Sequence, residues 1–348
     1  MSKVSIIIPI YNVEKFLPVC LDSATGQTYK DIEIICIDDG TPDSCVSIIK
    51  AYMEKDSRIK LISQENQGLS GARNTGVDNS TGDYIIFLDA DDWIDPETVE
   101  SAVTFAEKEN ADAVMWGYIR EFADKSTEKR IFDGNRVFDK DETKNLIHRR
   151  MAGLIGEELA HPENADSLVT AWGKLYRSDI IKNNSLKYVD TKIIGTEDAL
   201  FSLQYFGYVD RCVFIDKPFN HYRKDNNISL TRSYKPKLFS QWSALYDKME
   251  MYINENNCPN SFTEALNNRI CFSITGLGLT ELTNDKGIVE RIKNIKKFLS
   301  SERYKKAYKN LTLKYFPLHW KIFFFCCKHR LSVAVYFIIL AMNYIIEN

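Results

Sequence analysis

Val4-Ser5-Ile6-Ile7-Ile8-Pro9-Ile10-Tyr11-Asn12 begins as a continuous apolar, largely β-branched run and breaks into proline and polar residues. A run without alternation is what a strand buried on both faces requires. The residues that follow repeat the theme. Phe16 to Ala24 carries apolar residues at helical spacing, Glu33 to Ile37 reads as a second strand, and Ser44 to Met53 as a helix with Asp43 as a candidate cap. Ile59 to Ile62, Tyr84 to Leu88 and Ala113 to Ile119 read as further strands. Leu69 to Val77 is helical, and Pro96 opens another helix at a position proline tolerates. Strands alternating with helices predict an α/β fold with a doubly wound, mostly parallel sheet flanked by helices. Ligands of such sheets bind beyond the carboxyl ends of the strands. That rule singles out residues 9–14, 38–41, 64–73 and 89–92.

Composition agrees with a globular chain. Of 348 residues 44% are hydrophobic and 27% charged, and 19 Phe, 18 Tyr and 5 Trp argue against disorder. After Ser2-Lys3 the apolar run is broken by Pro9, Asn12 and Glu14, so no secretory signal is read. The eight cysteines are scattered without a C-x-x-C pair or zinc spacing, which reads as reduced, mostly buried thiols.

Four short segments carry chemistry. Phe87-Leu88-Asp89-Ala90-Asp91-Asp92-Trp93 places three carboxylates in four positions directly after a buried strand. Such acids repel unless neutralised, and a hard divalent cation with oxygen ligands is one remedy. A helix N-terminal acid cluster ahead of Pro96 is the other reading. It is not an EF-hand, because Trp93 and Ile94 stand where an oxygen ligand and the turn glycine are needed. Ile37-Asp38-Asp39-Gly40-Thr41 is either a ligand-binding strand end or an ordinary Asp-Gly turn. In Asn66 to Gly76 the glycines permit close backbone approach and Arg73 can meet a phosphate or base, yet no Gly-Lys-Ser/Thr of a P-loop follows. Glu197-Asp198 either carries chemistry or caps the helix through Leu200 and Phe201.

The ordered set resembles family 2 glycosyltransferases. It comprises Val4 to Asn12 with Glu14, Leu21-Asp22-Ser23, Gln27-Thr28-Tyr29, Ile37 to Thr41, Gly68 to Gly76 and Leu88 to Trp93. Ala171 to Arg177, Gly195 to Phe201 and His221-Tyr222-Arg223 also look like that family, in its subgroup that builds bacterial capsules, lipopolysaccharides and exopolysaccharides. The resemblance implies a GT-A fold over residues 1–235, with a nucleotide-binding half (1–120) and an acceptor half (121–235); beyond Pro236 the residue pattern itself becomes helical, giving a helical region over 236–348. It implies donor contacts from Pro9, Tyr11, Glu14, Asp38 or Asp39, and Arg73. Asp89 and Asp91 would form the D-x-D motif, with Asp91 the direct ligand of Mn2+ or Mg2+ and Asp89 nearer the ribose. Asp198 matches the catalytic base, and His221 or the nearby Asp225 is a candidate third metal ligand. The implied reaction is inverting transfer from a nucleotide sugar, UDP-linked by preference, to a glycan or lipid-linked saccharide acceptor. A sugar nucleotidyltransferase would want a Gly-rich basic loop after the first strand, where Pro9-Ile10-Tyr11-Asn12 stands instead. A nucleotide-sugar-binding protein without turnover is the non-enzymatic alternative. Trp172 and Lys174 either flank the acceptor or belong to the core, and His148, His161, His319 and His329 are isolated.

The tail differs in kind. Between Lys286 and Arg330 stand 13 Lys/Arg against two acids, a net +11, so with -3 overall the rest of the chain carries -14. Leu331 to Ile346 is apolar but only 16 residues long, short of the roughly 20 a membrane-spanning helix needs. A basic, aromatic-rich segment followed by an apolar one suits an interfacial membrane contact better than nucleic acid, and a helix packed on the core is the plainer reading. The expectation is a cytoplasmic protein, peripheral on the inner face of a bacterial membrane.

Overall fold

The computed structural model describes residues 2–224 and 234–347, so Asp225 lies outside the described residues. The chain forms two compact units. One comprises Met1–His148, Val169–Thr191 and Glu197–Asn226, the other Arg149–Leu168, Lys192–Thr196 and Asn227–Asn348.

The first unit is built on a ten-stranded sheet. Its strands are β1 (Val4–Ile10), β2 (Ile32–Asp38), β3 (Ile59–Ser63), β4 (Tyr84–Phe87), β5 (Trp93–Ile94), β6 (Ala113–Glu121), β7 (Ser126–Lys129), β8 (Arg136–Phe138), β9 (Lys174–Arg177) and β10 (Cys212–Arg223). The order is β3-β2-β1-β4-β9-β6-β10-β5, with β7 on β6 and β8 on β10. The first four strands are mutually parallel, and β10 runs parallel to β6. Strand β9 is inserted antiparallel between β4 and β6. All seven residues of β1 and all seven of β2 are buried, as their unbroken apolar pattern predicts.

Counting helices of nine residues or more, this unit carries α1 (Leu17–Thr25), α2 (Cys45–Met53), α3 (Gly68–Asp78), α4 (Thr98–Glu109) and α5 (Asp198–Phe206). Helix α3 lies tight on β1: a Cβ at Gly76 would stand 2.3 Å from Ile7 Cγ2, so only glycine fits there. The core joins both layers, with Ile6, Ile8, Leu21, Ile34, Ile86 and Val103 all buried.

The second unit contains α6 (Leu238–Glu255), α7 (Asn260–Leu282), α8 (Ile288–Leu299), α9 (Glu302–Asn310), α10 (Leu318–Lys328) and α11 (Ser332–Glu347). Helix α7 is its axis, touching α6, α8, α9 and α11. At Gly278 of α7 a Cβ would be 2.2 Å from Ile339 Cδ1, so this glycine admits α11. Val335, Tyr336 and Ile339 are buried, whereas Val333, Phe337 and Leu340 face out. The last helix therefore packs on the core with one side only. Among the described residues no helix is long and apolar enough to cross a membrane.

Candidate active site

The strand order reverses direction at the β1–β4 border, and the loops leaving β1, β2 and β4 there carry most of the residues singled out above. Pro9 is buried within β1, opposite Ile37. Tyr11, just beyond, is half exposed at 50%. Asn12 takes the left-handed conformation that Asn tolerates (φ 54°) and donates its N–H to Thr41 Oγ1 at 2.8 Å, joining the first two loops. Glu14 accepts the Ser44 N–H at 2.9 Å, while its own N–H reaches Asp43 Oδ2 at 2.9 Å.

The two aspartates after β2 part ways. Asp39 accepts from Gln64 Nε2 (2.7 Å), Gln67 N (2.8 Å) and Gly68 N (2.8 Å), so both oxygens are spent on the loop after β3 and the start of α3. It does the work of a cap from a neighbouring loop. Asp38 accepts one bond, from Thr41 N at 2.9 Å, through Oδ1. Its Oδ2 has no hydrogen-bond partner among the described residues.

The centre of the site is one guanidinium. Arg73 on α3 is 1% exposed. Its Nη1 donates to Glu197 Oε1 (2.6 Å) and Asp198 Oδ1 (2.8 Å), its Nη2 to Asp89 Oδ1 (2.9 Å), and its face lies 5.3 Å from the Tyr188 ring centre. Three carboxylates thus share one buried cation. Burial, with Asp198 beside it, raises the pKa of Glu197. Burial also raises that of Asp89, against the opposing pull of Arg73. Asp198 is the first residue of α5, and its Oδ2 accepts the Ala171 N–H at 3.1 Å. Each of its oxygens thus accepts one donor, and Glu197 lies beside it.

The acidic loop after β4 is fixed by Arg223 at the end of β10. The Arg223 N–H donates to Asp92 Oδ1 (2.8 Å), its Nε to the Asp91 carbonyl (2.9 Å), and its guanidinium covers the rings of Trp93 (4.8 Å) and Phe16 (4.9 Å). Asp92 is buried, its Oδ2 without a hydrogen-bond partner among the described residues, and burial with Asp91 and Asp89 nearby pushes its pKa well up. Asp91 is only partly covered and Asp89 keeps a quarter of its side chain exposed (25%). His221 is held from both sides: Nδ1 lies 2.7 Å from Glu121 Oε1, Nε2 lies 3.1 Å from Asp95 Oδ1, and the ring stacks on Trp93 at 4.9 Å. Trp172 and Lys174 turn inward. Trp172 packs on Tyr118 and Tyr222, and Lys174 donates to the Thr170 carbonyl, with burial lowering its pKa to about 7.

A divalent cation fits this donor set. The residues offered to a ligand are hard carboxylate oxygens, those of Asp91, which is partly covered, and Asp89, a quarter exposed. No three His, Cys, Asp or Glu side chains converge into a cage among the described residues. One or two carboxylates completed by phosphate oxygens and water is how Mg2+ is usually held.

Known proteins share this architecture. The model of glycosyl transferase family 2 matches residues 5–157. The glycosyltransferase EpsJ of Bacillus subtilis is 34% identical over 269 residues, covering 77% of this chain and 74% of that relative. The crystal structure of S. aureus TarS 1–349 in complex with UDP-GlcNAc aligns with a TM-score of 0.69 at 16% identity, covering 98% of this chain and 92% of that one. A mannosyltransferase of Pyrobaculum calidifontis, in complex with GDP-Man and Mn2+, aligns with a TM-score of 0.53 at 15% identity, over 96% and 86% of the two chains. The chain belongs to glycosyl transferase family 2 and is a glycosyltransferase of GT-A fold.

Proposed function

We propose that this glycosyltransferase moves a sugar, with inversion, from a UDP-sugar to a hydroxyl of a growing surface glycan or lipid-linked saccharide, with Mn2+ or Mg2+ at the donor diphosphate. The observation that carries the reading is the sharing of Arg73 by Asp89, Glu197 and Asp198. It joins the acidic loop after β4 to the carboxylate best suited to deprotonate an acceptor. The TarS crystal holds UDP-GlcNAc and the mannosyltransferase crystal GDP-Man with Mn2+, which supports a nucleotide-sugar donor and a divalent cation on the same fold.

Asp38, through its unspent Oδ2, is assigned the N–H of the base, a pattern uracil offers. Pro9, Tyr11 and Glu14 border the same strand ends, and Asp39 shapes the loop that leads to Arg73. Asp91 and Asp89 would hold the cation, which stabilises the charge that grows on the departing diphosphate. Asp198 accepts the acceptor hydroxyl's proton as the new glycosidic bond forms and the anomeric carbon–phosphate oxygen bond breaks. Attack and departure on opposite faces invert the centre. Arg73 and Ala171 N hold Asp198 from two directions, so the base does not have to be gathered during the reaction. His221, engaged on both nitrogens, is given a supporting part: it braces Trp93 and the acidic loop. A lipid-linked acceptor places the enzyme at the inner face of a bacterial membrane as a peripheral protein.

Calorimetric titration with UDP, GDP and dTDP, with and without Mn2+, tests the donor site. The expected result is Mn2+-dependent binding of UDP that Asp91→Ala abolishes. Absence of nucleotide binding under every metal condition would overturn the donor assignment, and preference for GDP would replace the base.

A further inference from the structure

Helices α10 and α11 are joined by His329-Arg330-Leu331 and pack against each other as a hairpin within the second unit. Each buries one side and exposes another. On α10 the outward residues Leu318 (73% exposed), Ile322 (53%) and Phe325 (51%) recur at i, i+4 and i+7. On α11 the same spacing brings out Val333 (55%), Phe337 (54%) and Leu340 (42%). Residues one and two helical turns apart share a face, so each helix presents an apolar stripe to solvent. Contiguous apolar surface of this kind marks an interaction site on a soluble fold.

Charge identifies the occupant. From Arg303 to Ile346 the chain has eight Lys/Arg and no Asp or Glu. Lys321 and Lys328 stand one turn on either side of Phe325, and Arg330 sits in the turn of the hairpin. An apolar stripe rimmed by cations matches the boundary between acyl chains and anionic headgroups, where rings and aliphatic side chains insert and lysines stay at headgroup level. A second copy of this surface would instead oppose cation to cation. Helix α11 has 16 residues, about 24 Å at 1.5 Å per residue, against a hydrocarbon core of about 30 Å. Its geometry suits lying along the surface.

We propose that the α10–α11 hairpin is the membrane-binding element of this enzyme, lying in the plane of an anionic lipid surface with the Leu318–Phe325 and Val333–Leu340 stripes inserted and Lys321, Lys328 and Arg330 on the headgroups. This rests on the peripheral-membrane part of the function proposed above and names the surface responsible.

Co-sedimentation of the full chain with phosphatidylglycerol–phosphatidylcholine vesicles, beside vesicles of phosphatidylcholine alone, reads the contact. Binding is expected to favour the anionic vesicles and to weaken as salt is raised. The double substitution Phe325→Glu with Phe337→Glu, at exposed positions, should lower it by about tenfold or more, and Lys321→Glu with Lys328→Glu by about tenfold or more on anionic vesicles only. Both variants should keep the wild-type melting temperature and nucleotide titration. Loss of vesicle binding with nucleotide binding intact thus speaks for the hairpin and leaves the transfer reaction untouched. Vesicle binding indifferent to both double substitutions, or equal on the two lipids, overturns the assignment. So does sedimentation-velocity evidence of a self-associated chain that the Phe variant disperses and that ignores vesicles.

Discussion

The sheet buries acids at both ends, and the two ends treat them in opposite ways. At the amino ends of β1 and β2, Glu33 accepts from Ser5 Oγ (2.6 Å), Thr81 N (2.6 Å), Thr81 Oγ1 (2.9 Å), Lys60 Nζ (2.7 Å) and Lys3 Nζ (3.2 Å). Burial alone would raise its pKa, but bonds from Lys60, Ser5 and Thr81 prevail and hold the carboxyl well below the usual range. At the carboxyl ends, Glu197, Asp198 and Asp89 divide one arginine, and burial wins: Glu197 and Asp89 are shifted up. Donors outnumber the acid at one end, and acids outnumber the cation at the other. The first arrangement serves the fold. The second gathers more acids than its one cation can serve, which the function proposed above assigns to reaction rather than to the fold.

The sharpest test of that division is Asp198→Asn. It should cut kcat by about 10²- to 10⁴-fold while UDP binding stays and the melting temperature does not fall, since the crowded end loses a charge. A clear fall in the melting temperature would place Asp198 among the acids that hold the fold. Arg73→Met should be the most damaging change to stability, about 3–5 kcal/mol in urea denaturation, because it leaves three partly buried carboxylates facing one another. Its loss should grow with pH as more of them ionise.

The smallest expected effect discriminates by sign. Glu33→Gln should cost about 1–3 kcal/mol at neutral pH by leaving buried donors short of an acceptor. The stabilisation Glu33 provides is complete above the unfolded carboxylate value of about 4.3 and fades as pH falls through it toward the lower folded value, so wild type and variant should converge in acid. Glu197 runs the other way. Its folded pKa is raised, so wild type loses stability relative to Glu197→Gln as pH climbs from about 4.3 upward. Thermal melts of both variants from acid to neutral pH would show two differences of opposite slope, and matching slopes would erase the contrast.

Strands β1, β2 and β4 were readable because burial on both faces writes itself as a nearly unbroken apolar run, and β3, buried at Ile59 alone, from its Ile and Leu residues. Val4 to Ile8, Glu33 to Ile37, Ile59 to Ile62 and Tyr84 to Leu88 all lie within a residue or two of β1 to β4. Short or irregular pairings left no such mark. Strand β5 has two residues, and β9 gains its place from neighbours far away in sequence. Among the singled-out residues, Arg73, Asp89 and Asp198 do come together, yet nothing local in Gly68 to Gly76 announces that Arg73 faces acids 124 and 125 positions on. The bracing of His221 by Glu121 and Asp95, and of the acidic loop by Arg223, was equally hidden. Such pairings depend on β10 lying beside both β6 and β5. The split between Asp38 and Asp39 needed the position of α3.

The antiparallel insertion of β9 also has a bearing on how the chain is made. Among the described residues strand β4 pairs with β1 and β9, and β9 is what joins it to β6. While a ribosome is still synthesising residues 88–173, β1 to β4 can already assemble, but the outer edge of β4 has no partner until Lys174 to Arg177 emerge. At about 5–20 residues per second that wait lasts several seconds, long beside the microseconds in which hairpins form. An open edge of buried-type sequence is a template for pairing with other chains, so in this interval the nascent chain is open to aggregation and to chaperone capture, before Glu197 and Asp198 have been made.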